Sequence, residues 1–147
     1  MITILTFTDI VVRLSVALGL GSLVGLQRSL VGKMAGMRTY ALVSLGSSLF
    51  VIVSQMASAE FSGLTNFDPL RVASQVVVGI GFLGAGLIVK KENNLSGLTT
   101  AAGLWVSAGI GMASGFGFHF IALTATILIL LVFTVLWYLE DSLKHLK

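Results

Sequence analysis

The chain has 147 residues, of which 56% are hydrophobic and only 10% charged, and its formal net charge is +3. A soluble domain carries about 25% charged residues, so this balance, with a mean hydropathy of +1.01, excludes an ordinary soluble domain. The absence of cysteine excludes disulfides and thiolate metal sites. The basic residues are spread over several loops without interleaved aromatics, which argues against nucleic-acid binding. We therefore predict a protein whose solvent is the lipid bilayer.

Long uncharged runs predict five transmembrane helices. Runs of 21, 18 and 47 residues without charge follow Arg38, Arg71 and Glu92. A helix that crosses the hydrocarbon needs about 20 apolar residues, so the last run can hold two crossings joined by a turn at 114–119. The first apolar segment has no preceding basic residue and no A-x-A site, so we expect it to be retained rather than cleaved. The predicted spans of this single all-α domain, 1–147, are about 7–26, 38–59, 70–89, 96–114 and 119–139.

The basic residues predict how these spans are oriented. Seven of the nine lie in or beside the connections after spans one and three and in the C-terminal tail, which share one side. The connections after spans two and four contain neither lysine nor arginine. The positive-inside rule makes the basic side cytoplasmic, which places the N-terminus outside and the C-terminus in the cytoplasm.

The stretch GIGFLGAG, residues 79–86, contains the G-x-G-x-x-G pattern of dinucleotide-binding domains. That site needs a preceding strand and an acid about 20 residues later, whereas here the apolar run continues and Glu92 follows too early. We favour helix packing, because small residues let backbones approach closely in lipid. The alternative is a broken third helix, since glycine weakens helices and freed backbone groups could line a site. The residues predicted to pack helices are Gly21, Gly25, Gly79, Gly81, Gly84, Gly86, Gly111 and Gly115.

A weak internal repeat relates spans one and two to spans three and four. The motif that starts at Gly19 recurs at Gly79, an offset of 60, and segment 35–41 is echoed by 96–102, an offset of 61. Both copies would enter the membrane in the same direction, so the pattern predicts a parallel tandem repeat. The alternative is chance similarity in a glycine-rich apolar sequence.

Few polar residues interrupt the predicted spans. Asp9 and Arg13 are four residues apart, so they can pair on one helix face. Gln75 lies inside span three, where an unpaired amide is costly, and we expect it to bond a neighbouring helix rather than a substrate. Asp68 followed by proline is typical of a helix N-cap. The sequence shows no catalytic constellation and no deep acid for a Mg²⁺ path, so we predict no enzyme, cofactor or metal site.

Several motifs together resemble the MgtC/SapB family of bacterial inner-membrane proteins. They extend over spans one to four and comprise Gly25-Leu-Gln-Arg28, Met34-Ala-Gly-Met-Arg-Thr39, Asp68-Pro-Leu-Arg71, Gln75, GIGFLGAG, and Gly97-Leu-Thr-Thr-Ala-Ala102 with Trp105. The resemblance implies a five-span domain in the plasma membrane with its C-terminus in the cytoplasm. It also implies a role in magnesium homeostasis and in survival at low Mg²⁺, including inside host cells. Members act by binding membrane proteins such as a P-type Mg²⁺ ATPase or the proton-translocating ATP synthase.

The chain departs from the family pattern in two ways. Family members often carry Glu-Arg where this sequence has Gln27-Arg28, so we expect no role that needs a carboxylate there. Better-known members add a soluble cytoplasmic domain, and we expect the functions of that domain to be missing from a chain that ends just after span five.

The sequence therefore predicts a non-enzymatic regulator of other membrane proteins that self-associates through its glycine faces, most simply as a dimer. The alternative is a small Mg²⁺ transporter or channel with a path between the two repeats. We expect most of the candidate polar residues, all except Thr39 and Asp68, to share one site. The full set of candidates is Arg28, Arg38, Thr39, Asp68, Arg71, Gln75, Thr99, Thr100 and Trp105.

Overall fold

A computed structural model describes residues 5–61, 68–91 and 94–144. Helices make up most of the described chain, and a short antiparallel hairpin joins the third to the fourth. In chain order the elements are α1 (Phe7–Leu30), α2 (Met37–Glu60), α3 (Pro69–Leu87), β1 (Val89–Lys91), β2 (Asn94–Ser96), α4 (Leu98–Gly115), α5 (His119–Leu131), a π-helical segment (Val132–Leu136) and α6 (Trp137–Lys144). The last three follow one another directly, so they form one long helix with a widened stretch.

The all-α membrane architecture predicted from the sequence is confirmed. Within residues 5–61, 68–91 and 94–144, four helices are long and apolar enough to cross a membrane, namely α1, α2, α3 and the continuous helix His119–Glu140. Helix α4 is not among these four. It has 18 residues, a length of about 27 Å. It is rich in glycine, alanine and serine because it contacts α1, α2, α3 and α5 instead of facing mainly lipid. The turn after α4 falls at 116–118, inside the predicted turn.

Two helix ends at the basic end of the bundle differ from the approximate predicted spans by a few residues. Span one was predicted to end near residue 26, but α1 continues to Leu30 and holds Arg28 in its last turn, where a cation interacts favourably with the helix dipole. Span three was predicted to reach residue 89, but α3 ends at Leu87. The next residues form the hairpin instead, with Val89 opposite Ser96.

Residues 79–86 are α-helical, so the broken-helix alternative is wrong. Helix α3 runs from Pro69 to Leu87 without interruption. An unsatisfied backbone group in lipid costs several kcal/mol, which exceeds the roughly 1 kcal/mol that each glycine costs a helix. The helix begins as predicted, because Asp68 Oδ1 accepts a hydrogen bond from the Leu70 amide at 2.9 Å and proline occupies the first position.

Helix α1 packs against α2 through two glycines that were predicted to pack. A Cβ added at Gly21 would lie 2.6 Å from Ser44 Cβ, and one added at Gly25 would lie 2.6 Å from Met37 Cα. Real Cβ atoms do not approach other atoms this closely, so both positions require glycine. The two helices are antiparallel, since the later glycine of α1 faces the earlier residue of α2.

Helix α4 packs against the same α2 through the other predicted pair. A Cβ at Gly111 would overlap the Ser44 carbonyl, and one at Gly115 would lie 2.7 Å from the Ser48 carbonyl oxygen. Here the later glycine faces the later residue, so α2 and α4 are parallel. Helix α2 is therefore held between two backbones and is the most buried of the four long helices.

Hydrogen bonds between helices reinforce these contacts. Ser44 Oγ donates to the Ala17 carbonyl of α1 at 2.8 Å, and Ser107 Oγ of α4 donates to the Tyr40 carbonyl of α2 at 3.0 Å. The Tyr40 hydroxyl donates to the Thr100 carbonyl at 3.3 Å. Inter-helix bonds in membranes contribute about 0.6–2 kcal/mol each, so they fix the register of helices that glycine has brought together.

The two antiparallel pairs, α1–α2 and α3–α4, have the arrangement that a parallel tandem repeat requires. Gly25 faces Tyr40 in the first pair. In the second, about sixty residues later, a Cβ added at Gly84 would lie 3.5 Å from Ala101 Cβ. The pairs differ one turn away, because Gly21 packs tightly whereas nothing lies within 4 Å of a Cβ at Gly81. Helix α3 is accordingly the least buried of the four long helices.

Gly111→Ala is expected to lower the thermal stability of the protein, whereas Gly109→Ala in the same helix is expected to raise it slightly. The new Cβ at position 111 would meet the Ser44 carbonyl, and overpacking costs about 1–3 kcal/mol. Position 109 has open space, so alanine there gains up to about 1 kcal/mol of helix propensity. Thermal unfolding in a mild detergent measures both, and equal midpoints would contradict the close contact of α2 with α4.

Candidate functional site

A cavity of about 510 Å³ lies at the basic end of the bundle, where α1 ends and α4 begins. The hairpin and the π-helical segment border it, so several elements far apart in sequence build its wall. We call it the Arg28 cavity. The residues that line it are Arg28, Lys33, Leu95, Gly97, Leu98, Thr99, Thr100, Val132, Phe133, Leu136, Trp137 and Glu140.

Arg28 is a buried cation at the wall of this cavity. Its side chain is only 4% exposed, and its guanidinium carbon lies 4.2 Å from the centroid of the Phe133 ring, a cation–π contact. Its Nε atom has no hydrogen-bond partner among the described residues. Burial of a charge that lacks such a partner is costly, so this arginine marks a place where negative charge is favourable.

The π-helical segment places Phe133 over Arg28. A π turn is a widened helical turn that often occurs at functional sites, and here Gln27 Nε2 donates a hydrogen bond to the Phe133 carbonyl at 3.2 Å. The ring also packs over Gly103, where an added Cβ would lie 2.6 Å from Phe133 Cζ. Gln27 therefore serves as a donor that ties this segment to α1.

The N-terminus of α4 forms another part of the wall. Gly97 occupies the N-cap position with a φ of 92°, and no side chain accepts a hydrogen bond from the first amides of the helix. Glycine is required there, because the conformation is left-handed and a Cβ would overlap the Leu87 carbonyl. The first amides of the helix, at 98–100, have no acceptor within the helix, and the helix dipole places partial positive charge on them.

The predicted shared polar site is not formed. Arg28, Thr99 and Thr100 line one cavity, but Arg71 lies at the start of α3, at the opposite end of the bundle. Asp68, which was not assigned to the shared site, caps the same end of α3. The prediction grouped residues by motif and did not consider at which depth of the membrane each one lies. Helix α3 has 19 residues, so its two ends are about 28 Å apart.

The remaining candidates face outwards. Arg38 and Thr39, in the first turn of α2, are exposed. Trp105 is 54% exposed on the surface of α4, and Gln75 is exposed on α3. A binding role for any of these residues stays a prediction, but they do not belong to the Arg28 cavity.

A second cavity of about 610 Å³ is a groove between α2 and α3. Gln75 was expected to bond a neighbouring helix, and no hydrogen bond of its side chain is present in the described chain; it faces this groove instead. We call it the α2–α3 groove, and its lining residues are Leu42, Val43, Gly46, Ser47, Phe50, Val72, Gln75, Val76, Gly79, Ile80 and Leu83. Apart from one amide and one hydroxyl, every side chain in it is apolar.

The glycines of α3 divide into two groups. Gly84 contacts Ala101 as predicted, whereas nothing lies within 4 Å of a Cβ at Gly79, Gly81 or Gly86. These three therefore pack no helix within the described chain. The reason is geometric, since α3 touches α2 and α4 on one side and leaves its other faces open.

The pair predicted between Asp9 and Arg13 is not formed among the described residues. Arg13 Nη1 donates instead to Gln55 Oε1 at 2.9 Å and to the Gly115 carbonyl at 2.7 Å. This ties α1 and α2 to the C-terminus of α4, where carbonyls lack partners in the helix. Asp9 accepts a hydrogen bond from the Thr6 amide at 3.0 Å and completes the capping box that begins α1.

Metal-ligating groups are sparse in the part of the chain that the structure describes. No group of three or more His, Asp or Glu residues there is placed to hold a metal ion. The Arg28 cavity contains one acid, Glu140, beside Arg28 and Lys33. Mg²⁺ prefers carboxylates and retained water, so this cavity offers mainly the chemistry of an anion site.

Two buried aromatic residues, Phe133 in the cavity wall and Tyr40 in the core, were not predicted. Phe133 lies in a long apolar run, where no feature distinguishes it from its neighbours. Tyr40 packs at the core and bonds to α4. A signal for it was present, since it lies inside predicted span two and a buried tyrosine hydroxyl needs a partner.

Comparison with known proteins adds independent information. A model of the MgtC family matches residues 14–142. The "Putative magnesium transporter YhiD" of Escherichia coli (strain K12) is 41% identical over 139 residues, which cover 93% of this chain and 65% of that protein. "Protein MgtC" of Salmonella typhimurium (strain LT2) is 46% identical over 120 residues, 82% of this chain and 49% of that protein. The chain thus spans about half to two thirds of the length of these relatives, and no solved structure matches it.

Phe133→Leu is expected to lower thermal stability more than Phe120→Leu, although each removes one aromatic ring. Phe133 is 5% exposed and would lose its contact with Arg28, whereas Phe120 is 81% exposed. A cation–π contact contributes about 0.5–2 kcal/mol, to which the lost packing adds. Thermal unfolding of both variants in mild detergent tests this, and equal midpoints would show that Phe133 does not stabilise the cavity.

Proposed function

The chain belongs to the MgtC family, and we propose that it is a non-enzymatic protein of the bacterial inner membrane that binds and regulates other membrane proteins. It is a magnesium-related membrane protein, and the proposed partners are transport ATPases that serve adaptation to low Mg²⁺. The end that carries Arg28, Lys33 and the hairpin is proposed to face the cytoplasm. The binding role rests on one observation, the α2–α3 groove.

The groove has two glycine positions at which the backbone of a partner helix can come close. Gly46 on α2 and Gly79 on α3 line it, and nothing lies within 4 Å of a Cβ at either position. Helices associate in lipid by close packing at such small residues, because lipid tails supply no hydrophobic driving force. Leu42 and Phe50, which are 66% and 57% exposed, provide apolar ridges beside them. A transmembrane helix is the occupant that fits this shape and polarity.

Gln75 supplies a polar contact for that helix. It lies six residues after Pro69, about 9 Å along α3, at a depth where water is scarce. Its amide has no hydrogen-bond partner among the described residues and faces the groove. An inter-helix hydrogen bond contributes about 1–2 kcal/mol, so a partner helix with a polar side chain at this depth would be selected over one without it.

Self-association is proposed on a different face of α3. Ser74, Gly81 and Ala85 are spaced by seven and four residues, so they form one stripe along the helix, and all three are exposed. This stripe faces away from the groove residues Gln75 and Gly79. In a two-fold dimer each stripe would pack against its copy, and the partner helix could still enter the groove.

Magnesium transport is the second candidate function, favoured by the name of the Escherichia coli relative. The two repeats meet at the α2–α4 contact and at the α2–α3 groove. The approach of Gly111 and Gly115 to the α2 backbone closes the first in the described chain, and the second offers an ion only one amide and one hydroxyl among apolar side chains. For this reason regulation by binding is the leading proposal.

Gly79→Leu is expected to reduce growth at limiting Mg²⁺ in a strain that depends on this protein, whereas Gly19→Leu is expected to leave growth unchanged. Leucine at position 79 would fill the groove. Position 19 is equivalent in the repeat and equally open, but it lies outside the groove. The measurement is growth of the complemented deletion strain, with both variants present in the membrane at the same level.

Two outcomes would contradict the proposal. Equal growth of the two variants would show that the groove has no role. Protein-dependent Mg²⁺ flux in proteoliposomes that Gly79→Leu abolishes would favour transport, whereas we expect no protein-dependent flux.

Gly81→Leu is expected to convert a dimer in mild detergent into a monomer, because leucine would hold the two α3 stripes apart. Light scattering of the purified protein measures its mass, with Gly19→Leu as the control. Gly21 was also predicted to assemble copies, but it packs inside the chain and cannot serve this test. An unchanged mass for Gly81→Leu would exclude this face from assembly.

A further inference from the structure

We propose that the Arg28 cavity binds the phosphate group of an anionic ligand. The proposal concerns a site at the basic end of the bundle, separate from the α2–α3 groove, and it does not depend on the regulatory function. Two independent features point to it. One is a buried arginine whose Nε has no hydrogen-bond partner among the described residues, and the other is the uncapped N-terminus of a long helix that lines the same cavity.

The first feature is the charge of Arg28. The side chain is 96% buried, since only 4% is exposed, and its Nε has no hydrogen-bond partner in the described residues. The Phe133 ring covers one face of the guanidinium and fixes its plane. A buried arginine is stabilised by groups that accept its donors, and the planar guanidinium matches the oxygens of phosphate or carboxylate groups.

The second feature is the start of α4. The amides of Leu98, Thr99 and Thr100 have no acceptor within the helix, and Gly97 supplies no capping side chain. Helix N-termini bind phosphate through such amides and the positive end of the dipole. Thr99 is exposed, so its hydroxyl can add one more donor to an oxygen that these amides hold.

The other lining residues narrow the ligand class. Lys33 adds a second positive charge, whereas Leu136 and Trp137 make the opposite wall apolar. Glu140, seven residues after Phe133, also lines the cavity, so a ligand there meets one acid as well as the two bases. A phosphate ester with an attached hydrocarbon fits this division of charged and apolar walls. A phospholipid headgroup and a free phosphate share the anionic group, and the experiment must separate them.

The test uses the purified full chain in an uncharged detergent, with binding followed by titration calorimetry. The probes are dioctanoyl phosphatidic acid, inorganic phosphate, and dioctanoylglycerol, which lacks the phosphate. We expect saturable binding of phosphatidic acid that Arg28→Gln weakens at least about tenfold, as loss of a charge-assisted hydrogen bond implies. Lys33→Gln provides a milder second variant on a loop, in case Arg28→Gln fails to fold, and is expected to weaken binding by a smaller factor.

Lys90→Gln is the matched control, because it removes the same charge from the same end of the bundle but lies on an exposed part of the hairpin outside the cavity. Binding of phosphatidic acid alone would support a lipid headgroup as the ligand. Binding of both phosphatidic acid and inorganic phosphate would support a site that accepts a phospholipid headgroup or free phosphate. The proposal would be overturned if dioctanoylglycerol bound equally well, if no probe bound saturably, or if Lys33→Gln weakened binding no more than Lys90→Gln.

Discussion

Close approach of helix backbones at glycine is the constraint on which the rest of this structure depends. Lipid tails are as apolar as leucine, so burial of apolar side chains does not drive helices together within a bilayer. Contact must come from shape and from hydrogen bonds. Gly21 and Gly25 bring α1 against one side of α2, and Gly111 and Gly115 bring α4 against the other. Ser44 lies where both approaches meet and donates a hydrogen bond to α1.

This central packing explains why α3 is packed less tightly than the other helices. Helices α1, α2 and α4 form a close-packed block, whereas α3 meets it mainly around Gly84 and Ala101. The part of α3 that precedes this contact is not covered by another helix. The α2–α3 groove lies there, and Gln75 has no hydrogen-bond partner in the described chain. Because α3 is packed more loosely than the other helices, we propose that its side of the groove is a binding surface.

The sequence predicted the features that depend on local chemistry. Uncharged runs located the helices, Asp68 marked the start of α3, and Gly117, with a φ of 84°, lies in the predicted turn. It did not predict features that depend on which helices meet. Gly79 and Gly111 look alike in sequence, yet only the second has a backbone against it.

The candidate site was predictable only in part, for the same reason. Arg28, Thr99 and Thr100 were identified from motifs, and the structure brings them into one cavity. Arg71 belonged to an equally distinctive motif but begins a helix at the other end. Phe133 completes the site through a π-helical segment in a uniformly apolar run, and neither its position nor its role has a sequence signal.

We propose that the α2–α3 groove receives a helix of another membrane protein. Site-specific photo-crosslinking in living cells at limiting Mg²⁺ tests it most directly, with benzoylphenylalanine placed at position 79 or, as the control, at position 19. We expect an adduct between position 79 and a different membrane protein, identified by mass spectrometry, and none of this kind from position 19. Adducts from position 79 only with lipid, or only with a second copy of this chain, would contradict it.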